Sequence, residues 1–244
     1  MLIELDGVSL RLGAGRGNAV EILRDISFGV DRGDRFVLIG PSGAGKSSLL
    51  RLINKLQDPS GGRILLAGED IQSLDVISLR RRCAMVFQQP VPLPGTVEEN
   101  LLTGPSLRGG DLEAARDRIP ELLRRVHLDP SLRERRAEDL SVGQQHRVAL
   151  ARTLMNEPEV LLLDEPTAAL DPGTSTAILD LVTELNQELG LTLIMVTHAF
   201  REARRLATAA GIIIDGCLRA CGGPEILRGS GDPEADRFLK QDEE

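Results

Sequence analysis

The sequence predicts an α/β fold built around a parallel β-sheet, and three patterns support this prediction. Near-continuous apolar strands that precede helices are typical of a parallel sheet buried on both faces. Such strands are predicted at 35–39, 83–87, 159–164, 191–196 and 211–214. Residues 1–39 have the pattern of short strands, whereas the pattern between residues 96 and 155 is helical throughout. We therefore expect a β-rich N-terminal region and a helical region inserted into an α/β core.

The N-terminal strands are short and separated by Gly- and Asp-rich turns. Besides 35–39, they are predicted at 8–12, 20–23 and 26–30. The strand at 35–39 leads into a glycine-rich loop and then a helix from Gly45. A β-rich segment therefore precedes the first strand–helix unit.

One long helix is marked by its end residues and its apolar stripe. Asp171 can cap it, Pro172 suits its first turn, and Gly190 ends it. Its apolar stripe is Ile178, Leu181, Val182, Leu185 and Leu189.

The inserted helical region carries its own boundary signals. The pairs Thr96/Glu99 and Ser131/Glu134 each have the spacing of a capping box. Pro120 is expected to divide the helical segment around it into two helices, because proline removes a backbone donor.

Composition excludes several classes of function. The 244 residues carry a net charge of −8, and aromatic residues make up only 2% with no Trp or Tyr. An acidic surface disfavours nonspecific binding to nucleic acid, and few aromatics are available for base stacking. No apolar run approaches the roughly 20 residues of a membrane span. We expect a soluble cytoplasmic protein whose three cysteines are reduced thiols.

A glycine-rich segment predicts a phosphate-binding loop. It matches G-x-x-x-x-G-K-[ST] and lies between a strand and a helical run, where backbone N–H groups can surround phosphate oxygens. Lys46 can reach the β- and γ-phosphates, and the Ser47 hydroxyl can bind Mg²⁺. The predicted nucleotide-binding residues are Gly40, Pro41, Ser42, Gly43, Ala44, Gly45, Lys46, Ser47 and Ser48.

Three other predicted strands end in polar residues that suit phosphate chemistry. Asp164 fits a metal-associated carboxylate, and Glu165 is placed to orient and deprotonate a water molecule. His198 follows the strand at 191–196, where a γ-phosphate contact is favoured. The Gln88 amide could touch Mg²⁺ or the attacking water, although alone it is indistinguishable from a surface glutamine.

A second helix start could also hold an anion. Ser141 fits an N-cap and Gln144 the matching capping-box position. From these residues alone, an ordinary capped helix is the favoured interpretation.

Taken in order, these motifs resemble the ATPase subunit of an ABC transporter. The motifs are the phosphate loop at 40–47, Gln88, LSVGQ at 140–144, LLLDEP at 161–166, AALD at 168–171 and VTHAF at 196–200. The resemblance implies a P-loop NTPase core with a parallel sheet, an N-terminal antiparallel β subdomain and an inserted helical subdomain. It implies a single domain over 1–244, with 1–90 and 156–244 in the core and about 91–155 in the helical subdomain.

The resemblance also implies a mechanism. Two subunits pair head to tail, and ATP on one phosphate loop is closed off by Ser141, Val142, Gly143 and Gln144 of the other. The implied catalytic residues are Glu165, His198 and Gln88. Asp171 contributes to the contact between subunits. The implied Mg²⁺ ligands are Ser47, Gln88 and Asp164. Gln88 and the helical subdomain relay the nucleotide state to a separate membrane permease, which holds this chain at the inner face of the cell membrane.

The chain departs from the family pattern at three places. In LSVGQ, Val142 stands at the position where glycine is commonest in the family, and Ser48 stands where threonine is usual. The family usually stacks adenine on an aromatic in the early β-hairpin, near Leu12, and that stretch has no aromatic. Packing on Leu12, or the guanidinium of Arg11 or Arg16, can substitute.

The cargo is not readable, and other functions stay open. The motif region is similar to ATPases of iron-efflux and aluminium-tolerance transporters and to those of phosphate importers. The alternatives are a non-transport ABC-type ATPase of DNA repair or translation, and a small-molecule P-loop kinase. The 53 positions from Gln88 to Ser141 are too few for the long coiled coil of the repair relatives. A kinase needs neither LSVGQ nor His198.

Overall fold

The computed structural model describes residues 1–13, 19–89, 91–168 and 170–240. The strands are β1 (Ile3–Leu12), β2 (Val20–Val30), β3 (Arg35–Ile39), β4 (Gly61–Leu66), β5 (Glu69–Asp70), β6 (Cys83–Val86), β7 (Val160–Asp164), β8 (Thr192–Thr197), β9 (Ala209–Ile214) and β10 (Cys217–Gly222). The α-helices are α1 (Lys46–Ile53), α2 (Val76–Arg82), α3 (Val97–Leu107), α4 (Leu112–Arg125), α5 (Val142–Leu154), α6 (Pro172–Leu189), α7 (Phe200–Leu206) and α8 (Pro233–Lys240). Short 3-10 helices cover Pro130–Glu134, Ala137–Asp139 and Pro224–Leu227.

Two sheets form the framework. The larger has the order β10-β9-β3-β8-β7-β6, in which β10 alone runs antiparallel to its neighbour. The smaller is antiparallel, with the order β2-β1-β4-β5. The predicted fold class, a parallel core sheet with an N-terminal antiparallel β region, is therefore confirmed.

The larger sheet separates two hydrophobic cores. Successive side chains of a strand point to opposite faces. Leu161 and Leu163 of β7 accordingly enter the core on the side of α3 to α8, and Leu162 enters the core on the side of the smaller sheet and α1. All five residues of β7 are buried, which confirms the prediction of a sheet covered on both faces.

The N-terminal strands are longer than predicted. The separate strands expected at 20–23 and 26–30 are one strand, β2. A register shift against β1 and a positive φ of 49° at Asp25 mark a bulge where a turn was expected. Hydrogen bonding to β1 continues on both sides of the bulge, so the polar residues at 24–25 interrupt the ladder without ending it.

Along the chain, helices α3, α4 and α5 follow β6 and precede β7. Thr96 and Glu99 form the predicted capping box: Thr96 Oγ1 accepts from Glu99 N at 3.1 Å, and Glu99 Oε2 accepts from Thr96 N at 2.7 Å. The bounds of 91 and 155 for a helical subdomain stay a prediction.

Two predictions for this region were wrong. Pro120 lies inside a continuous α4, because Ile119 and Leu123 on either side of it are buried in one core and offset the lost hydrogen bond. The Ser131 capping box does not form. Asp129 caps that segment instead by accepting from Ser131 N at 2.8 Å, and the segment is a 3-10 helix.

The ends of α6 are as predicted. Asp171 accepts from Gly173 N and Thr174 N, both at 3.0 Å, and Gly190 ends the helix with a φ of +65°. The apolar stripe is buried except for Leu189, which is exposed.

We predict that Asn186→Leu destabilises the fold. The buried Asn186 amide donates to Gly33 O at 2.8 Å and to Leu191 O, and its oxygen accepts from Arg35 Nη1 at 2.9 Å. Leucine leaves these partners without a hydrogen bond, at a cost of about 1–3 kcal/mol for a buried group. Urea unfolding checks the loss. Gln187→Leu, on the exposed neighbour, is the control, and equal midpoints for both variants would contradict the prediction.

Candidate active site

The phosphate loop joins the end of β3 to the start of α1. Gly43 and Gly45 have φ values of 82° and 96°, which favour glycine. A Cβ on Gly40 would lie 2.0 Å from Ile213 O of β9, and one on Gly45 would lie 2.6 Å from Leu23 Cδ2. The glycines therefore allow both the backbone turn and its close packing on β9 and β2.

Lys46 is buried at the base of the loop. Its ammonium donates to Gly40 O at 2.7 Å and to Pro41 O at 2.9 Å. Burial lowers the pKa of Lys46, while the charges of Glu165 and Asp164 act in the opposite direction. The cation is thus held against the loop backbone by two carbonyls and faces two carboxylates.

Ser47 connects the loop to β7. Its hydroxyl donates to Asp164 Oδ1 at 2.6 Å, across the sheet edge. Asp164 is buried at the last position of β7. A hydroxyl oxygen and a carboxylate therefore lie side by side next to the phosphate loop.

Glu165 and His198 meet at the same edge. His198 Nδ1 lies 3.0 Å from Glu165 Oε2, and Glu165 N donates to Val196 O at 3.0 Å. Glu165 has a φ of +44°, which is uncommon for a residue with a side chain. This backbone turn follows directly after the buried strand.

An open cavity of about 290 Å³ lies against the loop. It is lined by Ile22, Ser42, Gly43, Gly45, Lys46, Ser47, Ser48 and Glu165. Six of the nine predicted nucleotide-binding residues thus share one cavity with Glu165, whereas Gly40 and Pro41 are not among the described residues that line it. Ala44 differs, because its side chain is buried in the core beside the smaller sheet.

Other predicted residues lie away from this cavity. Gln88 is exposed two residues beyond β6, and it is not among the described residues that line the cavity. Ser141 and Gln144 form the predicted capping box at the start of α5, and Val142 there is 55% exposed. Asp171 is exposed, and hydrogen bonds from Thr174 and Gly173 lower its pKa.

The region predicted to hold the base is aliphatic. Leu12 pairs with Val20 across the β1–β2 hairpin, and their exposures are 44% and 58%. The Arg11 guanidinium pairs with Glu21 at 3.0 Å. Arg16 lies outside the described residues.

Sequence reasoning missed four residues of this region. Ile22 lines the cavity, and Glu202 accepts hydrogen bonds from Thr167 and Thr197. The only feature of the sequence that could have pointed to one of these residues is that Thr197 directly precedes His198. Nothing in the pattern separates Glu202 from the other charged residues of its helix.

A glycine loop between strand and helix, a buried lysine and carboxylates from the end of another strand of the same sheet define a nucleotide-hydrolysing P-loop protein. The family model described as ABC transporter matches residues 23–168. The chain therefore belongs to the ABC transporter family, and it is an ATP-binding and ATP-hydrolysing component of such a transporter.

Curated relatives agree with this family. ABC transporter I family member 17 of Arabidopsis thaliana is 43% identical, with 90% of this chain and 82% of the relative covered. Protein STAR1 of Oryza sativa subsp. japonica is 45% identical, with 90% and 63% covered. A methionine import ATP-binding protein of Cupriavidus metallidurans is 41% identical, with 87% and 62% covered. The chain thus spans less than two thirds of the last two relatives.

Solved structures share the fold. CbiO1 of Clostridium perfringens, part of an ABC transporter complex, superimposes with a TM-score of 0.83 at 27% identity, over 98% of both chains. The cassette MJ0796, a dimer in a post-hydrolysis state with ADP and Pi, gives 0.79 at 32% identity, over 91% of this chain and 98% of that one.

Proposed function

We propose that Glu165 is the general base of ATP hydrolysis and that the cavity at the phosphate loop binds the triphosphate. The observation that carries this proposal is the place of Glu165: it lines the same cavity as Lys46 and Ser47 and contacts His198 at 3.0 Å. A general base needs a carboxylate within reach of the water beside the terminal phosphate.

The loop supplies the binding groups. The first backbone N–H groups of α1 point out of the end of the helix that lies at the cavity. Anions are favoured at such a helix start. Lys46 can exchange its two carbonyl acceptors for phosphate oxygens. A phosphate also favours the charged form of the ammonium, against which burial acts.

The donor set next to the loop fits Mg²⁺. This ion prefers oxygen ligands and keeps several waters, with one or two carboxylates and the substrate phosphates. Ser47 and Asp164 would hold it, since their oxygens already lie 2.6 Å apart. When bound, Mg²⁺ neutralises charge on the phosphate oxygens. The exposed position of Gln88 gives its predicted role as a ligand less support.

Glu165 then orients a water molecule and accepts its proton. His198 holds the carboxylate from one side through Nδ1, which leaves the other carboxylate oxygen for the water. Because His198 is itself at the sheet edge, its second ring nitrogen can contact the terminal phosphate.

Glu165→Gln is expected to lower turnover by about 10²–10⁴-fold, the usual effect of losing a general base, and to keep ATP binding. The amide has the size of the carboxylate but cannot accept the proton. Single-turnover hydrolysis and nucleotide titration measure the two effects. Glu188→Gln, on an exposed glutamate of α6, is the control, and hydrolysis by Glu165→Gln at the parent rate would assign the base elsewhere.

We further propose that ATP closes a homodimer. The Ser141–Gln144 segment is not among the described residues that line the cavity, so the start of α5 does not complete the site within one chain. The exposed Val142 and the first N–H groups of α5 are available to a second copy. The dimeric cassette with which this chain superimposes supports this arrangement.

Mixed variants test closure between subunits. Lys46→Ala and Ser141→Arg are each expected to be inactive alone. Their heterodimer keeps one site with an intact Lys46 and an intact partner Ser141. The mixture is therefore expected to recover ATPase activity, measured by phosphate release. No recovery from two folded proteins that associate would exclude composite sites.

A membrane permease is the proposed second partner. In the described residues, no helix is both long and apolar enough to cross a membrane. A groove of about 560 Å³ beyond β6 is bordered by Phe87, Val91, Leu93 and Arg152. The first three are exposed apolar side chains, and burial lowers the pKa of Arg152. We propose that a cytoplasmic segment of the permease with apolar side chains and an acceptor for Arg152 occupies this groove.

The base is proposed to lie on an aliphatic surface. Ile22 lines the phosphate cavity, and Val20, two positions earlier on β2, pairs with Leu12. Aliphatic contacts do not distinguish one purine base from another, whereas a stacked aromatic ring together with hydrogen bonds does. Binding therefore rests on the triphosphate, which all nucleoside triphosphates share.

We predict that GTP is hydrolysed within about tenfold of ATP, a difference of 1.4 kcal/mol or less. Leu12→Tyr is expected to tighten ATP binding about 5- to 150-fold, the worth of one stacked base. Competition titrations of both nucleotides measure this change. Leu107→Tyr, at an exposed position on α3, is the control. Strong ATP preference in the parent with no gain in Leu12→Tyr would contradict the prediction.

A further inference from the structure

One carboxylate joins the two loops that carry Glu165 and His198. Glu202 lies in the first turn of α7, and its two oxygens accept separate hydrogen bonds. Thr167 Oγ1 donates to Oε1 at 2.6 Å, and Thr197 Oγ1 donates to Oε2 at 2.9 Å. We propose that Glu202 is a positioning residue for ATP hydrolysis, which sets the geometry of the Glu165–His198 pair. The inference rests on the proposed roles of that pair.

The two threonines lie close in sequence to the proposed catalytic groups. Thr197 directly precedes His198, and Thr167 is two residues beyond Glu165 in a turn closed by Ala168 N and Glu165 O at 3.2 Å. Both threonines are buried, with exposures of 2% and 4%. A shift of either hydroxyl therefore moves the adjoining backbone.

The hydrogen-bond directions suit a carboxylate at position 202. Thr197 Oγ1 accepts from Ala199 N at 3.0 Å and gives its own proton to Glu202. Thr167 likewise donates. A carboxylate supplies an acceptor to each hydroxyl, whereas an amide supplies one oxygen and one NH₂ group, so that one threonine hydroxyl has to turn and accept instead of donating. An aspartate is shorter by one methylene and cannot span both hydroxyls from the same backbone position.

Glu202 adds a second link between the two strand ends. The first is the backbone hydrogen bond from Glu165 N to Val196 O. That bond fixes where Glu165 leaves the sheet, but not the turn beyond it. His198 is exposed, and Glu165 has a left-handed backbone. Glu202 is not among the described residues that line the cavity, so it acts through Thr167 and Thr197.

The test separates catalysis from stability. Glu202→Gln is expected to lower kcat about 10- to 100-fold, the scale of a displacement near 1 Å at a reacting centre, with KM for ATP within about twofold. Thr167→Val and Thr197→Val are expected to lower kcat in the same way, and adding either to Glu202→Gln is expected to lower it little further. Thr197→Ser, which restores the hydroxyl, is expected to recover most of the loss of Thr197→Val. Glu188→Gln is the control.

A spectroscopic readout accompanies the kinetics. The chain has three histidines, so the ring signal of His198 can be followed by NMR beside those of His127 and His146. In Glu202→Gln, the His198 signal is expected to shift while the other two stay. Thermal melting of each variant gives the folded fraction by which kcat is corrected.

Two results would overturn the inference. One is an unchanged kcat both in folded Glu202→Gln and in folded Glu202→Ala, which has no acceptor for either hydroxyl. The other is a loss of kcat that disappears after correction for the folded fraction, with an unmoved His198 signal. Glu165→Gln is assayed in parallel. If that variant hydrolyses ATP at the parent rate, the proposed general base is wrong, and Glu202 is then judged on kcat and the His198 signal together.

Discussion

The register of three parallel strands determines where the chemistry of this protein can occur. Ile39 of β3 pairs with Thr197 of β8, and Asp164 of β7 pairs with Val196 of β8. The phosphate loop, Glu165 and His198 each follow one of these strand ends, so they meet at one edge. A slip by one residue would also exchange the two cores that alternate along each strand, which makes the register costly to change.

The charges at this edge favour a nucleotide together with a divalent cation. Lys46 is the buried cation, and Asp164 and Glu165 are the carboxylates that raise its pKa against the effect of burial. A triphosphate brings several further negative charges beside those carboxylates, which repel it unless positive charge enters too. The adjacent oxygens of Ser47 and Asp164 are suited to that charge, so in the proposed site the metal and the substrate would bind together.

The sequence predicted those parts of the molecule whose signals are local. The phosphate loop, the Thr96 and Ser141 caps and the buried strand before Asp164 were recognised because each depends on neighbouring residues. Pro120 was misjudged because burial of α4 against distant helices outweighs a local rule. Glu202 was missed for the same reason: its partners lie 35 and 5 positions away, and only the packed strand ends bring them together.

Helix α5 connects the two interfaces that the proposed function requires. Its N-cap is Ser141, which faces the ATP of the second subunit in the proposed dimer, and Arg152 in its last turn borders the groove assigned to the permease. Thirteen residues at 1.5 Å per residue span about 20 Å. The helix also contacts α3, α4, α6 and β6. In the proposed dimer, a displacement at the start of this helix would reach the groove through one continuous element.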